Sequence, residues 1–177
     1  MLKYFDARLL WGIRHFVYKM FCGRLAGIGY LGQPCFAKGL KYLFVGQRFG
    51  LFPGWRIEII GGEVHIGDDV RIGNNVLINC CSRVDIGNNV TFSANVFVGT
   101  TDYKISSDLS EGFAQWETQE KPIVIEDNCF VGFGAVLLPG TILRKGCVVG
   151  ANSVVRGEHP PGTILSGERA QCLRNRV

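Results

Sequence analysis

Few side chains in this chain suit chemistry, and their scatter narrows what they can do. The three histidines, His15, His65 and His159, lie in three different stretches. A zinc site built on three histidines finds no support in this scatter. Of the seven cysteines, none stands in CxxC spacing, and Cys80 and Cys81 are adjacent. They read as reduced thiols rather than a metal site or a disulfide framework. What remains is a polar stretch over 100–121, TTDYKISSDLSEGFAQWETQEK. It offers a carboxylate at Asp102, a phenol at Tyr103 and an indole at Trp116. A carboxylate is ionised but weakly basic unless desolvated, and a phenol is a poor base at neutral pH unless a cation lowers its pKa. Trp116 presents either an aromatic face on which a pyranose ring can stack or an anchor for the loop.

The element that must position these residues is a repeat of six. From Ile125 the chain reads IEDNCF VGFGAV LLPGTI LRKGCV VGANSV, with an aliphatic residue first each time: Ile125, Val131, Leu137, Leu143 and Val149. The fifth place is always small: Cys129, Ala135, Thr141, Cys147 and Ser153. Six fits neither a 3.6-residue helix nor a two-residue alternation; it fits a chain that turns a corner every six residues and stacks each circuit on the last. The aliphatic residue fills the interior, and the small one fits where the corner narrows. Gly and Asn supply the left-handed backbone angles that corners need. The same beat runs upstream from Val45, Leu51, Ile66, Ile72 and Ile78, stretches to eight residues before Ile86, and resumes through Phe92 and Val98. It fails from Thr100 to about Lys121, which marks a loop inserted into a rigid scaffold, where function tends to sit.

The pattern resembles the hexapeptide-repeat transferases over roughly residues 34–168, and within them the sugar O-acetyltransferase branch, which includes the galactoside and maltose acetyltransferases and many surface-polysaccharide enzymes. The resemblance rests on residues 66–103 and on GFGAVLLPGTILRKGCVVGANSVVRGEHPPGTILSG. It implies an all-β fold, a left-handed parallel β-helix of triangular section, assembled as a homotrimer. It also implies transfer of an acetyl group from acetyl-CoA to a saccharide hydroxyl, with no metal, in a cleft between subunits. In that branch a loop histidine is the general base, and its place here is taken by Tyr103, within Thr101-Asp102-Tyr103. Three options follow: a transferase assisted by Tyr103 or Asp102, a base supplied by a neighbouring subunit, or a non-catalytic β-helix trimer that binds a ligand or a partner. Asn75 falls on an active-site asparagine of the branch, although an asparagine at a β-helix corner needs no catalytic reason. Phe133, Gly134 and Ala151 fall on backbone positions that line coenzyme A. Arg156 stands one place before a basic residue of the branch and Arg174 on a terminal one, both suited to phosphate by the arginine fork. Trp116 would line the sugar pocket.

The composition fits this frame. A chain of 177 residues, 47% hydrophobic and 19% charged, makes one domain with an appendage, and a net charge of +4 is no nucleic-acid footprint. We divide it into residues 1–33, an amphipathic helix with a connector; 34–168, the β-helix with its loop at 100–121; and 169–177, a basic tail. Residues 2–23 carry apolar positions at three- and four-residue steps with Lys3, Arg8, Arg14 and Lys19 among them. That helix packs on the prism or on a neighbouring subunit, or lies at a membrane interface. No cleavable signal is evident. The expected location is the cytoplasm, with peripheral contact at the inner face of the membrane.

Overall fold

The computed structural model describes residues 8–104, 112 and 116–167, with side chains from Leu10 onward. An α-helix, Arg8–Tyr18, precedes a three-sided parallel β-helix. The first face is a seven-stranded sheet running from Arg24–Leu25 to Glu158–His159; the second, also seven-stranded, runs from Tyr30–Leu31 to Ile164–Leu165. The third has six strands, from Phe36–Lys38 to Val154–Val155. Each strand pairs in parallel with its counterpart one coil away, so Ile66, Ile86, Ile125 and Leu143 form one inward column.

The hexad rule holds at side-chain level. Ile125, Val131, Leu137, Leu143 and Val149 are buried, and so are the small corner residues Cys129, Ala135, Thr141, Cys147 and Ser153. Burial pushes the Cys80 thiol up to about 11, as expected of a compact apolar filler. The first corner, between the first and second faces, is held by a ladder of short polar side chains. The Gln47 amide donates to Asp68 Oδ1 (2.7 Å), the Asp68 amide to Asn88 Oδ1 (2.8 Å) and the Asn88 amide to Asp127 Oδ1 (2.6 Å). These corner amides would otherwise lack partners.

Two boundaries differ from the sequence reading. The first coil starts at Arg24, not after residue 33, because Arg24–Leu25 and Tyr30–Leu31 already pair with the next coil. The glycines that suggested an irregular connector are there for close stacking: a Cβ on Gly29 would sit 2.6 Å from the Phe49 ring. The helix ends at Tyr18, and its last turn closes through bonds such as the Phe21 amide to the Tyr18 carbonyl (2.9 Å). Beyond Val155 the chain stays in the prism. Glu158–His159 and Ile164–Leu165 each add a strand, and Pro160-Pro161 occupies the corner between them, where no ladder bond is needed.

The helix closes the starting end of the prism. Trp11 meets Tyr30 and Phe52 edge-on, His15 lies 5.5 Å from the Phe49 ring and Tyr18 6.0 Å from Trp55. Arg14 donates to the carbonyl of Leu31 on the terminal coil (3.1 Å).

Candidate functional site

The predicted site residues separate onto two corners of the prism. The second corner, between the second and third faces, is built by left-handed residues at successive levels: Asn75 (φ 56°), Asn95 (59°), Gly134 (67°) and Asn152 (56°). Each level hangs on the one before it: the Asn75 amide donates to Pro53 O, Asn95 to Asn74 O, Gly134 to Ala94 O and Asn152 to Phe133 O. Asn75 Nδ2 also donates to Asn95 Oδ1 (3.1 Å). Phe133, Gly134 and Ala151 therefore share one edge with Asn75, and Phe133 is half exposed. Gly134 is required there: besides its positive φ, a Cβ would lie 2.2 Å from Asn152 Oδ1.

The third corner, between the third and first faces, carries the loop. Thr100 is fully buried where the chain leaves the prism, and its hydroxyl accepts from the amides of Cys81 (2.8 Å) and Ser82 (3.3 Å). The loop's base is an antiparallel hairpin, Thr101–Tyr103 with Thr118–Glu120. The Tyr103 amide donates to Asp102 Oδ1 (2.9 Å), and Arg156 donates to Asp102 Oδ2. The Arg156 hydrogen bond, aided by the Tyr103 amide, holds the Asp102 carboxyl below the usual carboxylate range. Asp102 is therefore a weaker base than an ordinary aspartate, and its geometry makes it a brace for the strand that ends in Tyr103. The Tyr103 side chain is 44% exposed. Trp116, two residues before the second strand of the hairpin, is partly buried.

Arg156 is thus placed differently from the expectation. It sits at the third corner, paired with Asp102, and not beside Phe133, Gly134 and Ala151 as a phosphate ligand on their edge. The pairing was readable: once the insertion is set aside, Asp102 and Arg156 end the third side of coils two steps apart. Thr100 was missed altogether, because a threonine at the end of a strand carries no distinctive spacing. Arg174 lies outside the described residues, as does most of the loop interior. His65 belongs to neither cluster: it stacks on Phe44 (4.7 Å) and bonds Glu63 (2.8 Å) on the first face. The groove of about 660 Å³ along that face, lined by Phe44, His65, Asp85 and Val124 among others, includes no predicted site residue.

Sequence and structure comparisons give this arrangement relatives. The chain matches the family described as the hexapeptide repeat of succinyl-transferase over residues 63–100 and 122–156. It is 29% identical over 148 residues to WbbJ of Escherichia coli, assigned as a lipopolysaccharide biosynthesis O-acetyl transferase, covering 80% of this chain and 76% of that one. It is 30% identical over 137 residues to the galactoside O-acetyltransferase of Lactococcus lactis, covering 76% of this chain and 65% of the relative. Among solved structures, the hexapeptide-repeat acetyltransferase VCA0836 of Vibrio cholerae superimposes with a TM-score of 0.54 at 27% identity, over 93% of this chain and 80% of its own. The same protein has also been solved with acetyl coenzyme A. The chain thus carries the hexapeptide repeat over residues 63–100 and 122–156, and the proteins it resembles include O-acetyltransferases acting in lipopolysaccharide biosynthesis and on galactosides.

Proposed function

We propose that the protein moves an acetyl group from acetyl-CoA to a saccharide hydroxyl, on a membrane-linked precursor of a surface polysaccharide. We further propose that it works as a homotrimer. The observation that carries this reading is the split of the site. The edge suited to coenzyme A, with Phe133, Gly134, Ala151 and Asn75, and the loop base, with Asp102, Tyr103 and Arg156, stand on different corners of one prism. A threefold assembly of such prisms sets the second corner of one copy against the third corner of the next and completes one cleft per interface.

In that cleft the acceptor hydroxyl attacks the thioester carbonyl, its proton goes to a base, and the tetrahedral intermediate collapses with loss of the coenzyme A thiolate, which takes up the proton. Donors at the second corner support the oxyanion, with the Asn75 amide group among them. Tyr103 orients the hydroxyl by a hydrogen bond from it to the phenol oxygen; Asp102, bound by Arg156, fixes the strand that presents it. Trp116 contributes to the sugar side, and Arg174 to the phosphates of coenzyme A.

Calorimetric titration with acetyl-CoA and with free coenzyme A tests the reading. Binding tighter than about 100 µM is expected. A folded protein that binds neither would overturn it and leave a non-catalytic trimer. Tyr103→His should raise turnover by about 10²-fold or more, and Tyr103→Phe should lower it.

A further inference from the structure

The helix that closes the prism has a second face. Opposite the side that carries Trp11, His15 and Tyr18, the helix shows water Leu10, Ile13, Phe16 and Val17, and the turn that follows it adds Met20 and Phe21, with Phe16 72% and Met20 79% exposed. Ile28, on the first coil, is 90% exposed. Large apolar residues held outward together on one end of a molecule mark a contact surface. No helix among the described residues is long and apolar enough to cross a membrane.

Charge says what covers this surface. Residues 8–57, from the helix into the last strand of the second coil, contain eight Lys or Arg and no Asp or Glu, and Glu58 in that strand is the first carboxylate after them. Residues 58–177 contain ten basic and fourteen acidic side chains. The chain is therefore polar end to end, positive around the helix and negative along the rest. Three of the eight cations are already committed: Arg14 to the Leu31 carbonyl, Arg48 to Asp69 and Arg56 to Glu58. Lys19, Arg24, Lys38 and Lys41 are exposed, and among the described residues no carboxylate pairs with them. A second copy of this same end would bring like charges together. An anionic lipid surface instead accepts the apolar side chains among its acyl chains and meets the lysines with phosphate.

We infer that the helix end of the prism docks on an anionic membrane, with Phe16, Met20 and Ile28 inserted and Lys19, Arg24, Lys38 and Lys41 at the headgroups. Coils stack about 4.8 Å apart, so the loop base at the fourth coil stands about 15–20 Å above the lipid. That height suits a saccharide held on a lipid carrier, a point that rests on the proposed acceptor; the docking itself does not.

The test is co-sedimentation of the full chain with vesicles of phosphatidylcholine alone and with vesicles containing phosphatidylglycerol. Binding is expected to the anionic vesicles only and to weaken with salt. Phe16→Ser combined with Met20→Ser should weaken it at least tenfold, and Lys19→Glu or Lys41→Glu by about fivefold or more each. Sedimentation velocity and acetyl-CoA titration of the same variants should be unchanged, since these side chains already face water. No binding to either vesicle, equal binding to both, or a change of oligomeric state in the serine variants would overturn the inference, the last in favour of a subunit contact. Loss of acetyl-CoA binding by the parent chain would instead strike the proposed function and leave the docking result standing.

Discussion

The second and third corners of the prism solve the same turning problem in opposite ways. At the second, each level repeats the one before: a left-handed Asn or Gly, with its amide bonded to the preceding level. No level is special, so what this corner offers a ligand is a regular edge of backbone. The third corner changes at every level. It takes three extra residues around Gly61-Gly62 and two at Cys81-Ser82, opens into the loop after Thr100, and tightens again at Gly157. Its side chains are held by contacts that occur once each: Thr100 on two amides, Arg156 on Asp102. Repetition makes a binding edge, and its interruption admits individual side chains.

If the third corner is set by single contacts, single substitutions there should differ widely. Gly62 is the extreme: its φ is +71°, and a Cβ would lie 1.2 Å from the Ser82 carbonyl oxygen, which belongs to backbone and cannot swing away. Gly62→Ala should cost about 3 kcal/mol or more by chemical denaturation. Gly157 has φ +86° but nothing within 4 Å of its Cβ position, so Gly157→Ala should cost only about 1–2 kcal/mol of left-handed strain. Similar losses at both would mean that backbone angle, and not stacking, governs this corner.

Thr100→Val comes next. It keeps the shape and removes the acceptor, leaving the Cys81 and Ser82 amides without their partner. A loss of about 1–3 kcal/mol is expected, with Thr100→Ser restoring most of it. An unchanged stability would show that water reaches these amides and that the loop's root is open.

The same contrast explains what could be read in advance. The columns led by Ile125, Val131 and Leu137 were legible because each inward residue is demanded by those above and below it. The left-handed places of Asn75 and Gly134 were legible for the same reason. The start of the prism was not: a terminal coil has a neighbour on one side only, so its hexads are weakly patterned, and the glycines around Gly29 read as loop until stacking showed their use. At the site, the break in the repeat located the loop, and Tyr103 and Asp102 were found within it because the resemblance lays a loop histidine on Tyr103. The Arg156 pairing was missed because two residues 54 apart meet only after the insertion is subtracted. Thr100 left no trace, since its role lies in one hydroxyl rather than in a pattern.

Asn75 sharpens the comparison at smaller amplitude. Asn75→Ala should cost about 1 kcal/mol for the left-handed angle, and Asn75→Gly much less. If Asn75 also supports the oxyanion, the glycine variant will be stable yet slow, with kcat reduced by about tenfold or more. A glycine variant with full turnover would reduce Asn75 to a corner residue and leave that edge purely backbone.

Acid should separate the corners by the smallest margin. The second-corner residues Asn75, Asn95, Gly134 and Asn152 carry no group that titrates. At the third, Arg156 and the Tyr103 amide lower the Asp102 pKa from its ordinary value of 3.8. The folded state therefore binds this proton less readily than the unfolded chain. The stabilisation is complete above about 3.8 and is lost as pH falls through the lower folded value. Both partners are solvent-exposed, so screening keeps the effect small. Asp102→Asn should lower Tm slightly near neutrality, where the stabilisation is present, and flatten the fall of Tm below about pH 4. Amide exchange around Tyr103 should quicken in acid before exchange at Asn95 does. If both corners loosen together, the hairpin and the prism unfold as one unit, and the third corner's independence is confined to its chemistry.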